Sequence, residues 1–427
     1  MDKQNDKGGE KLLLPMKTWQ LWYMMIVIYV LYLLDFASRA VISPMFPLLK
    51  AEFLLSDAQL GWLATALLAM VGLLAIPLSY IHDVWSRGKM ISIVSVVWSI
   101  ASFFSGLATN FAQLISSRAL MGIGEASFNS GGQALIMATI KKSRRSLMTG
   151  IWTTAAALGT FAGMMIGGAV AMKFGWRAAF IAVAIPGIIF GIMAWFIPDY
   201  KNPPRTAISG ERKSAFVKML KELFTNKSVI TLSVSYAFFL IWFQSVFTWT
   251  PSYFVRYMGM DIAQAGLVVG STALVMLIVS PFGGLIGDRI SKKQPRNKIL
   301  LCFVGVFISC IGQVTMVHFN LWPMVYVAVL GQSIFFAVMI IALQETVPSY
   351  LRASAYGFFM LATMVLGGLW GPALVGAISD ASSLKVAFYI LAGILAIALF
   401  GFIFAFKFYN ADYKRSRELE QAIEQSE

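Results

Sequence analysis

Apolar stretches long enough to cross a lipid bilayer recur along the whole chain and alternate with short polar segments. A helix needs about 20 mainly apolar residues to cross the hydrocarbon core of a membrane. The pattern predicts twelve such helices, at residues 19–43, 56–81, 88–109, 111–140, 146–172, 176–197, 228–256, 262–287, 298–318, 321–347, 353–379 and 384–409. Because six helices fall in each half, we expect an all-α membrane protein.

The second half of the chain repeats local features of the first half at a nearly fixed distance. The repeated pairs, each 205 or 207 residues apart, are Asp83 and Asp288, Arg145 and Arg352, Gln59 and Gln264, and Pro44 and Pro251. Repeated halves in a membrane protein form bundles that move against each other around a central site. The repeat therefore predicts twelve transmembrane helices in two pseudo-symmetric six-helix bundles.

The same pattern divides the chain into five segments. These are a cytoplasmic N-terminal segment (1–18), an N-terminal bundle (19–197), a cytoplasmic linker (198–227), a C-terminal bundle (228–409) and a solvated cytoplasmic tail (410–427). The linker is basic from Glu211 to Lys227 and has apolar residues at helical spacing. It is either a helix on the membrane surface or a plain connection.

Composition supports a membrane protein, and the distribution of charge gives its orientation. The chain is 58% hydrophobic and 13% charged, with a net charge of +14. With both termini in the cytoplasm, cytoplasmic segments hold 27 of the 34 lysines and arginines. This bias sets the orientation of the protein in the membrane, and the basic clusters behind it touch lipid head groups. It therefore implies no nucleic-acid partner. We expect a multi-pass protein of the cell (inner) membrane with cytoplasmic termini.

The chain carries no signal of enzyme chemistry. Cys302 and Cys310 share one predicted span without a histidine nearby, and His82 and His318 stand alone near span ends. We find no nucleophile motif, phosphate loop or paired metal ligands. The sequence therefore predicts a protein that is not an enzyme, with no cofactor and no metal site.

Four charged residues lie inside predicted spans of the first half. Asp35 and Arg39 are four apart in the first span, and Arg118 and Glu125 are seven apart in the fourth, so each pair shares a helix face. A charge at the bilayer centre costs about 2.5–3.5 kcal/mol, which favours a functional role in a water-filled cavity. The alternative is a pair of buried salt bridges, although such pairs add little stability.

The second half has no charge at the equivalent positions. Its spans offer Trp242, Gln244, Trp249, Gln332 and Trp370. A cavity between the halves would thus be ionic on one wall and aromatic or amide on the other. This arrangement suits a small or amphipathic organic anion, with Arg39 and Arg118 binding its head group. Packing of the aromatic residues within the bundle is the alternative role.

Carboxylates in such a cavity can carry protons. Glu125 follows Gly122 and Gly124 in a stretch with few polar neighbours. A carboxyl group whose protonation depends on which side of the membrane is open can couple proton flow to substrate movement. Glu125 is the first candidate for proton coupling, and Asp35 is the second.

These features together resemble the major facilitator superfamily. The resemblance rests on the two six-span halves, the repeated Asp with a basic loop, and Arg145 and Arg352 at later turns. The segment Arg118–Ser127 is similar to the fourth-span motif of spinster-like transporters, and the related anion:cation symporters carry a similar Arg and Glu. The segment Trp249–Tyr253 is similar to the seventh-span motif of both groups.

The first span departs from the spinster-like pattern, which has adjacent Asp and Arg. The register of Ser43, Pro47 and Lys50–Phe53 places Arg39 at the family Arg and Ser38 at the family Asp. Asp35 lies one turn earlier on nearly the same face. We include Ser38 among the candidate substrate-binding residues, and the role of the family Asp has either moved to Asp35 or changed.

The resemblance also implies a gate on the cytoplasmic side. The implied gating residues are Asp83, Arg87, Arg145, Asp288, Arg289, Glu345 and Arg352. Two aspartates would hold the gate shut through basic residues and helix N-termini. Glu345 would join this network through Arg352 or Arg289.

The sequence therefore predicts a monomeric secondary transporter that works by alternating access, coupled to protons, with an organic anion or amphipathic lipid-like substrate. One alternative is a spinster-like exporter of a lysolipid or sphingoid phosphate. Another is a non-transporting membrane receptor with the same fold.

Overall fold

The computed structural model describes residues 14–199, 225–348 and 351–424, and these ranges form helices and no strand. In the first half, α1 comprises Thr18–Ala40 and Ile42–Phe53, α2 is Asp57–Val84 and α3 is Arg87–Leu107. Helix α4 comprises Phe111–Glu125 and Phe128–Thr139. Helix α5 runs from Lys142–Met165 through the π-helical turn Ile166–Val170 to Ala171–Phe174, and α6 is Trp176–Ala194. Most of the predicted linker, including its basic stretch, lies outside the described residues.

The second half repeats this order. Here α7 is Lys227–Met258, α8 is Ile262–Ser291, α9 is Asn297–Phe319, α10 is Met324–Glu345, α11 runs from Arg352–Thr363 through the π-helical turn Met364–Gly368 to Gly371–Ala381, and α12 is Leu384–Glu424. The predicted all-α membrane architecture is confirmed. The predicted solvated tail, however, is a direct continuation of α12 over most of its length.

Within the described ranges, eleven helices are long and apolar enough to cross a membrane. The exception is α4, where the sequence predicts one span at 111–140. Its two parts have 15 and 12 residues and are separated at Ala126 and Ser127. The fourth crossing is therefore a broken helix, and Glu125 ends its first part.

Helix caps explain part of the internal repeat. Ser56 accepts a hydrogen bond from the Gln59 backbone N–H, and the Gln59 side chain accepts one from the Ser56 backbone N–H. Asp261 and Gln264 form the same reciprocal cap at the start of α8. A capping box satisfies two backbone donors that a helix start leaves unpaired. The repeated glutamines thus fix the starts of α2 and α8.

Glycines let α1 and α5 approach each other backbone to backbone. A Cβ atom on Gly159, Gly163 or Gly167 would lie 2.1–2.3 Å from a carbonyl oxygen of α1, namely that of Leu33, Ala37 or Val41. In the second half, a Cβ on Gly367 of α11 would lie 2.0 Å from the Ala237 carbonyl oxygen of α7. Small residues at such crossings replace side-chain packing with direct backbone contact.

The helices define two opposite faces of the molecule. The far face carries the turns after Phe53, Leu107, Phe174, Met258, Phe319 and Ala381. The terminal face carries the start of α1, the end of α12 and the turns after Val84, Thr139, Ser291 and Glu345. Among the described residues, the closest contacts between the halves lie towards the far face. There a Cβ on Gly61 would lie 2.3 Å from the Pro372 carbonyl oxygen, and one on Gly266 would lie 2.5 Å from that of Met164.

The hydrophobic cores follow the same division. One core joins both halves and includes Phe46 and Leu60 from the first half with Trp249 and Phe254 from the second. The other core belongs to the first half alone and surrounds Trp152 towards the terminal face. The halves are therefore packed together at the far face and separated at the terminal face, which leaves a cleft between them.

Candidate functional site

The cleft between the halves is a cavity of about 890 Å³. Helices α1, α2, α4 and α5 form one wall, and α7, α8 and α10 form the other. The polar residues of the lining are Arg39, Ser43, Arg118, Thr153, Thr154, Thr160, Gln244, Thr248, Thr272, Ser280 and Gln332. Its apolar part includes Phe36, Leu67, Phe243, Phe247 and Met276. The cavity thus offers a charged wall, an amide and hydroxyl wall, and apolar surface.

Arg39 connects the cavity to two buried carboxylates. Its Nη2 donates to both carboxylate oxygens of Asp35 at 3.1 Å. Its Nε lies 2.9 Å from Oε2 of Glu125, although the N–H of Nε is not aligned for a hydrogen bond. Asp35 and Glu125 are each 2% exposed, whereas the Arg39 side chain is 25% exposed. Arg39 therefore stands between the cavity and both acids.

Ser38 lies behind this ion cluster and does not line the cavity. Its hydroxyl is 2.9 Å from the Asp35 carbonyl oxygen and 3.3 Å from Oε1 of Glu125. Its own carbonyl oxygen accepts a hydrogen bond from Nη1 of Arg118 at 3.2 Å. The structure thus gives Ser38 contacts to the acids and to Arg118, where the sequence predicts contact with substrate.

Arg118 is buried in a different environment from Arg39. Its Nε donates to the Leu63 carbonyl oxygen at 3.5 Å, and Nη1 also lies 3.3 Å from the Met121 sulfur. It makes no ion pair with any of the described residues. A buried guanidinium without a carboxylate partner is costly unless it binds an anion. Since Arg118 lines the cavity, an anion in the cavity can supply that partner.

The second-half wall is formed by amides and phenylalanines. Gln244 and Gln332 line the cavity, and Nε2 of Gln332 lies 3.6 Å from the Met276 sulfur. Phe243 and Phe247, one turn apart on α7, supply the aromatic surface. Sequence reasoning missed these phenylalanines, although their position next to Gln244 at helical spacing was an available signal.

The three tryptophans that the sequence nominated lie outside the lining. Trp242 is buried against Phe239 in the core that joins the halves, and Trp249 packs on Phe46 and donates Nε1–H to the Pro372 carbonyl at 2.9 Å. Trp370 is 52% exposed. The face of α7 that carries Phe243, Gln244 and Phe247 points to the cavity, so Trp242 and Trp249 on its other faces take part in packing.

A charged network closes the far face. The guanidinium of Arg256 in α7 binds both carboxylate oxygens of Asp57 at 2.6 and 2.7 Å, and Lys50 and Ser379 contact the same carboxylate. Asp380 at the end of α11 accepts hydrogen bonds from the backbone N–H groups of Asp57 and Ala58, each at 2.8 Å. We call this set the far-face latch. Sequence reasoning did not identify it, because each residue alone reads as an ordinary charge at a span end.

The predicted gating residues of the first half lie at the terminal face. The Asp83 side chain lies outside the described residues. The backbone N–H of Arg87 donates to Asp199. Arg145 donates to the Ile140 carbonyl at 2.9 Å.

Among the described residues, the predicted gating residues of the second half form their ion pairs with other partners than one another. Asp288 and Arg289 are exposed. Glu345 binds Lys298 of α9 and Tyr409 of α12 instead of Arg289 or Arg352, because both partners face it within the second half. Arg352 binds Glu420 of α12 at 2.9 Å. These contacts of Glu345 and Arg352 stay within the second half.

Comparison with known proteins identifies the family of this chain. A sequence profile of the Major Facilitator Superfamily matches residues 28–370. The hexuronate transporter of Bacillus subtilis (strain 168) is 24% identical over 388 residues, which cover 85% of this chain and 89% of that protein. Protein spinster homolog 3 of Danio rerio is 26% identical over 381 residues, covering 82% and 75% of the two chains.

The fold is also similar to that of solved transporters. A bacterial homolog of the human lysosomal transporter spinster, in an inward-facing and occupied conformation, superposes with a TM-score of 0.80 at 19% identity. The superposition covers 93% of this chain and 99% of that one. The profile extends from α1 into α11, and the arrangement of the helices agrees with it. This chain is an integral membrane transporter, not an enzyme, and it belongs to the Major Facilitator Superfamily.

Proposed function

We propose that this protein is a proton-coupled secondary transporter that moves a small or amphipathic organic anion by alternating access. The observation that carries the proposal is the charge of the cavity. Arg39 and Arg118 line it, and among the described lining residues there is no aspartate or glutamate. A water-filled cavity with positive charge on its wall attracts anions. The relative named for hexuronate, a carboxylate, supports this substrate class.

Charge balance supports coupling to a proton. Asp35 and Glu125 offset Arg39 and Arg118, so the cluster is neutral when both acids are ionised. An anion that binds alone leaves one uncompensated negative charge in a buried site, which is unfavourable. If Glu125 also takes up a proton, the total charge returns to zero and Arg39 keeps Asp35 as its remaining acid partner, which leaves it freer to bind the anion. Binding of the proton and binding of the anion then strengthen each other.

The contacts between the halves support alternating access. The cavity is closed from the far face by the latch around Asp57 and by backbone packing of α2 on α11. Transport requires a second state in which these contacts open and the terminal face closes. The residues Asp83, Arg87, Arg145, Asp288, Arg289, Glu345 and Arg352 are our candidates for closing it.

The basic residues on the terminal side support a cytoplasmic terminal face in the cell (inner) membrane. Both walls of the cavity come from one chain, so a monomer provides a complete site.

A lysolipid or sphingoid phosphate is a second candidate substrate. The apolar lining of Phe36, Leu67, Phe243, Phe247 and Met276 favours it, because it can hold an acyl or alkyl chain beside the arginines. The resemblance of Arg118–Ser127 to the fourth-span motif of spinster-like transporters favours the same candidate. A binding screen of sugar acids against lysophosphatidate and sphingosine 1-phosphate separates the two, since a ligand that binds the folded state raises the melting temperature.

Replacing Glu125 by Gln tests the coupling. With the best ligand of the screen, purified protein in liposomes should accumulate substrate when a pH gradient is imposed. The variant Glu125→Gln should lose this accumulation but retain exchange of substrate between the two sides, because exchange requires no release of a proton. Both quantities are measured by uptake of labelled ligand.

The matched control is Glu418→Gln, which changes a glutamate that pairs with Lys414 on the exposed side of α12. It should behave as the unmodified protein. If Glu125→Gln accumulates substrate with the normal dependence on the pH gradient, Glu125 does not carry the proton.

A further inference from the structure

The two oxygens of Glu125 have different neighbours. Oε2 lies 2.9 Å from the cationic Nε of Arg39. Oε1 lies 3.3 Å from the hydroxyl of Ser38, a neutral group. Guanidinium nitrogens only donate hydrogen bonds, whereas a hydroxyl can both donate and accept. A proton on Oε2 would face a donor, while a proton on Oε1 faces a possible acceptor.

The hydroxyl of Ser38 has two acceptors within reach and one hydrogen. It lies 2.9 Å from the carbonyl oxygen of Asp35, one turn back in α1, as well as 3.3 Å from Glu125. It can therefore donate to one of them at a time. When Glu125 is ionised, Ser38 can donate to Oε1. When Glu125 is protonated, Ser38 can donate to the Asp35 carbonyl and accept the hydrogen of the Glu125 carboxyl.

The geometry points to Ser38 as a positioning residue that satisfies Glu125 in both protonation states and directs the proton to Oε1. This inference rests on the proposed proton-carrying role of Glu125. The proton comes from the water that enters the cavity and returns to water when Glu125 ionises. One O–H bond forms and breaks, and Ser38 neither gains nor loses a proton in the cycle.

The other charged groups around Glu125 do not provide this partner. Arg39 and, through it, Asp35 face Glu125 from α1, and Arg118 lies two turns earlier on α4. His82 of α2 binds Ser127, two residues beyond Glu125, and α3 presents Trp98 to Gly124. Of these neighbours, Ser38 is the one with a described hydrogen bond to Glu125.

Infrared spectroscopy tests the inference without a known substrate. Purified protein is titrated between acid and alkaline pH, and the carbonyl band of protonated carboxyl groups is recorded. The part of the band that Glu125→Gln removes belongs to Glu125. In Ser38→Ala this part should titrate with a midpoint higher by roughly 0.5–1 pH unit, because a hydrogen bond to an ionised group contributes more than one to a neutral group.

Two variants distinguish a specific role from general damage. Ser38→Thr keeps the hydroxyl and should retain the midpoint of the unmodified protein. Ser235→Ala removes a buried serine hydroxyl that bonds one turn back in α7, and it should also leave the midpoint unchanged.

The possible outcomes separate the two proposals. Equal midpoints in Ser38→Ala and the unmodified protein, with a Glu125 band present, would overturn the role of Ser38 and leave the proton carrier in place. A band that Glu125→Gln does not change would overturn the proton carrier itself. A midpoint that moves equally in Ser38→Ala and Ser38→Thr would show that the hydroxyl is not the cause.

Discussion

Arg39 and Arg118 both line the cavity, but different atoms surround them. Arg39 contacts the carboxylates of Asp35 and Glu125, so its charge is offset before any ligand arrives. Arg118 contacts backbone carbonyls and a thioether and has no ion pair among the described residues. A substrate anion should therefore gain more from Arg118 at every pH, and from Arg39 mainly when Glu125 is protonated.

Replacing Arg118 by Ala should weaken binding of the anionic ligand found in the screen by about tenfold to a hundredfold. The loss corresponds to one charge-assisted hydrogen bond of about 1.5–3 kcal/mol. The weakening should be similar at acid and neutral pH, because Arg118 stays charged across that range. Titration calorimetry or ligand-induced thermal shifts measure the effect.

Trp370→Phe is the matched control, because Trp370 lies outside the cavity lining. Its affinity should equal that of the unmodified protein. Unchanged affinity in Arg118→Ala would remove Arg118 from the binding site.

The charged cluster was easier to predict from sequence than the second-half wall. Charge inside an apolar stretch is costly, so Asp35 and Arg118 stand out without any structure. Aromatic residues carry no such signal, since rings also serve packing. Trp242 and Trp249 lie in the core because the rotation of α7 about its axis, which depends on all its neighbours, turns Gln244 towards the cavity instead.

At the scale of elements, the starts, breaks and contact faces of the helices set the geometry of the site. The reciprocal caps at Ser56 and Asp261 follow a local pattern that a sequence contains. The break in α4 after Glu125 follows no such local pattern. Apolar residues continue on both sides of it, so the hydropathy of the sequence indicates a single span. The approach of α2 to α11 also depends on which glycines meet across the halves.

Gly376 on α11 is one of those glycines. A Cβ there would lie 2.3 Å from the Asp57 carbonyl oxygen, so Gly376→Ala should force α2 and α11 apart. Overpacking of this kind costs about 1–3 kcal/mol. The variant should shift the protein away from the conformation described. Spin labels at Lys173 and Ala381, both exposed at the far face, should report a longer distance.

Gly393→Ala is the control, since nothing lies near that Cβ in α12. It should leave the label distance unchanged and stabilise the helix by about 0.5–1 kcal/mol. An unchanged distance in Gly376→Ala would show that the contact between α2 and α11 does not hold the far face closed.

At the scale of the whole molecule, the far-face latch should set the balance between the two states. Asp57 binds Arg256 and Ser379 from the opposite half, and the Asp380 side chain binds the start of α2. The internal repeat predicts two bundles and a cavity between them. It does not predict which face is closed, because the latch residues have no equivalent partners in the repeat.

Replacing Asp57 by Asn should open the far face. The change removes charge-assisted hydrogen bonds to Arg256 and leaves two cations close together. The fraction of molecules with a closed far face, relative to the open fraction, should fall about tenfold or more. Labels at Lys173 and Ala381 should move apart, while labels at Lys142 and Lys293 on the terminal face should approach each other.

Asp261→Asn is the control for Asp57→Asn, because it changes a far-face acid whose side chain caps its own helix. It should leave both distances as they are. If Asp57→Asn changes neither distance, the latch does not control the balance of states.

The last helix, α12, is a rigid element whose end reports the motion of the second half. It runs without interruption from Leu384 to Glu424, and Asp412 and Glu420 fasten its end to the start of α7 and to Arg352. At 1.5 Å per residue, the part beyond Lys414 extends about 15 Å. A fluorophore near its tip therefore turns rigidly with the second half, and its swing relative to a fluorophore on the first half reads out each transport cycle in real time.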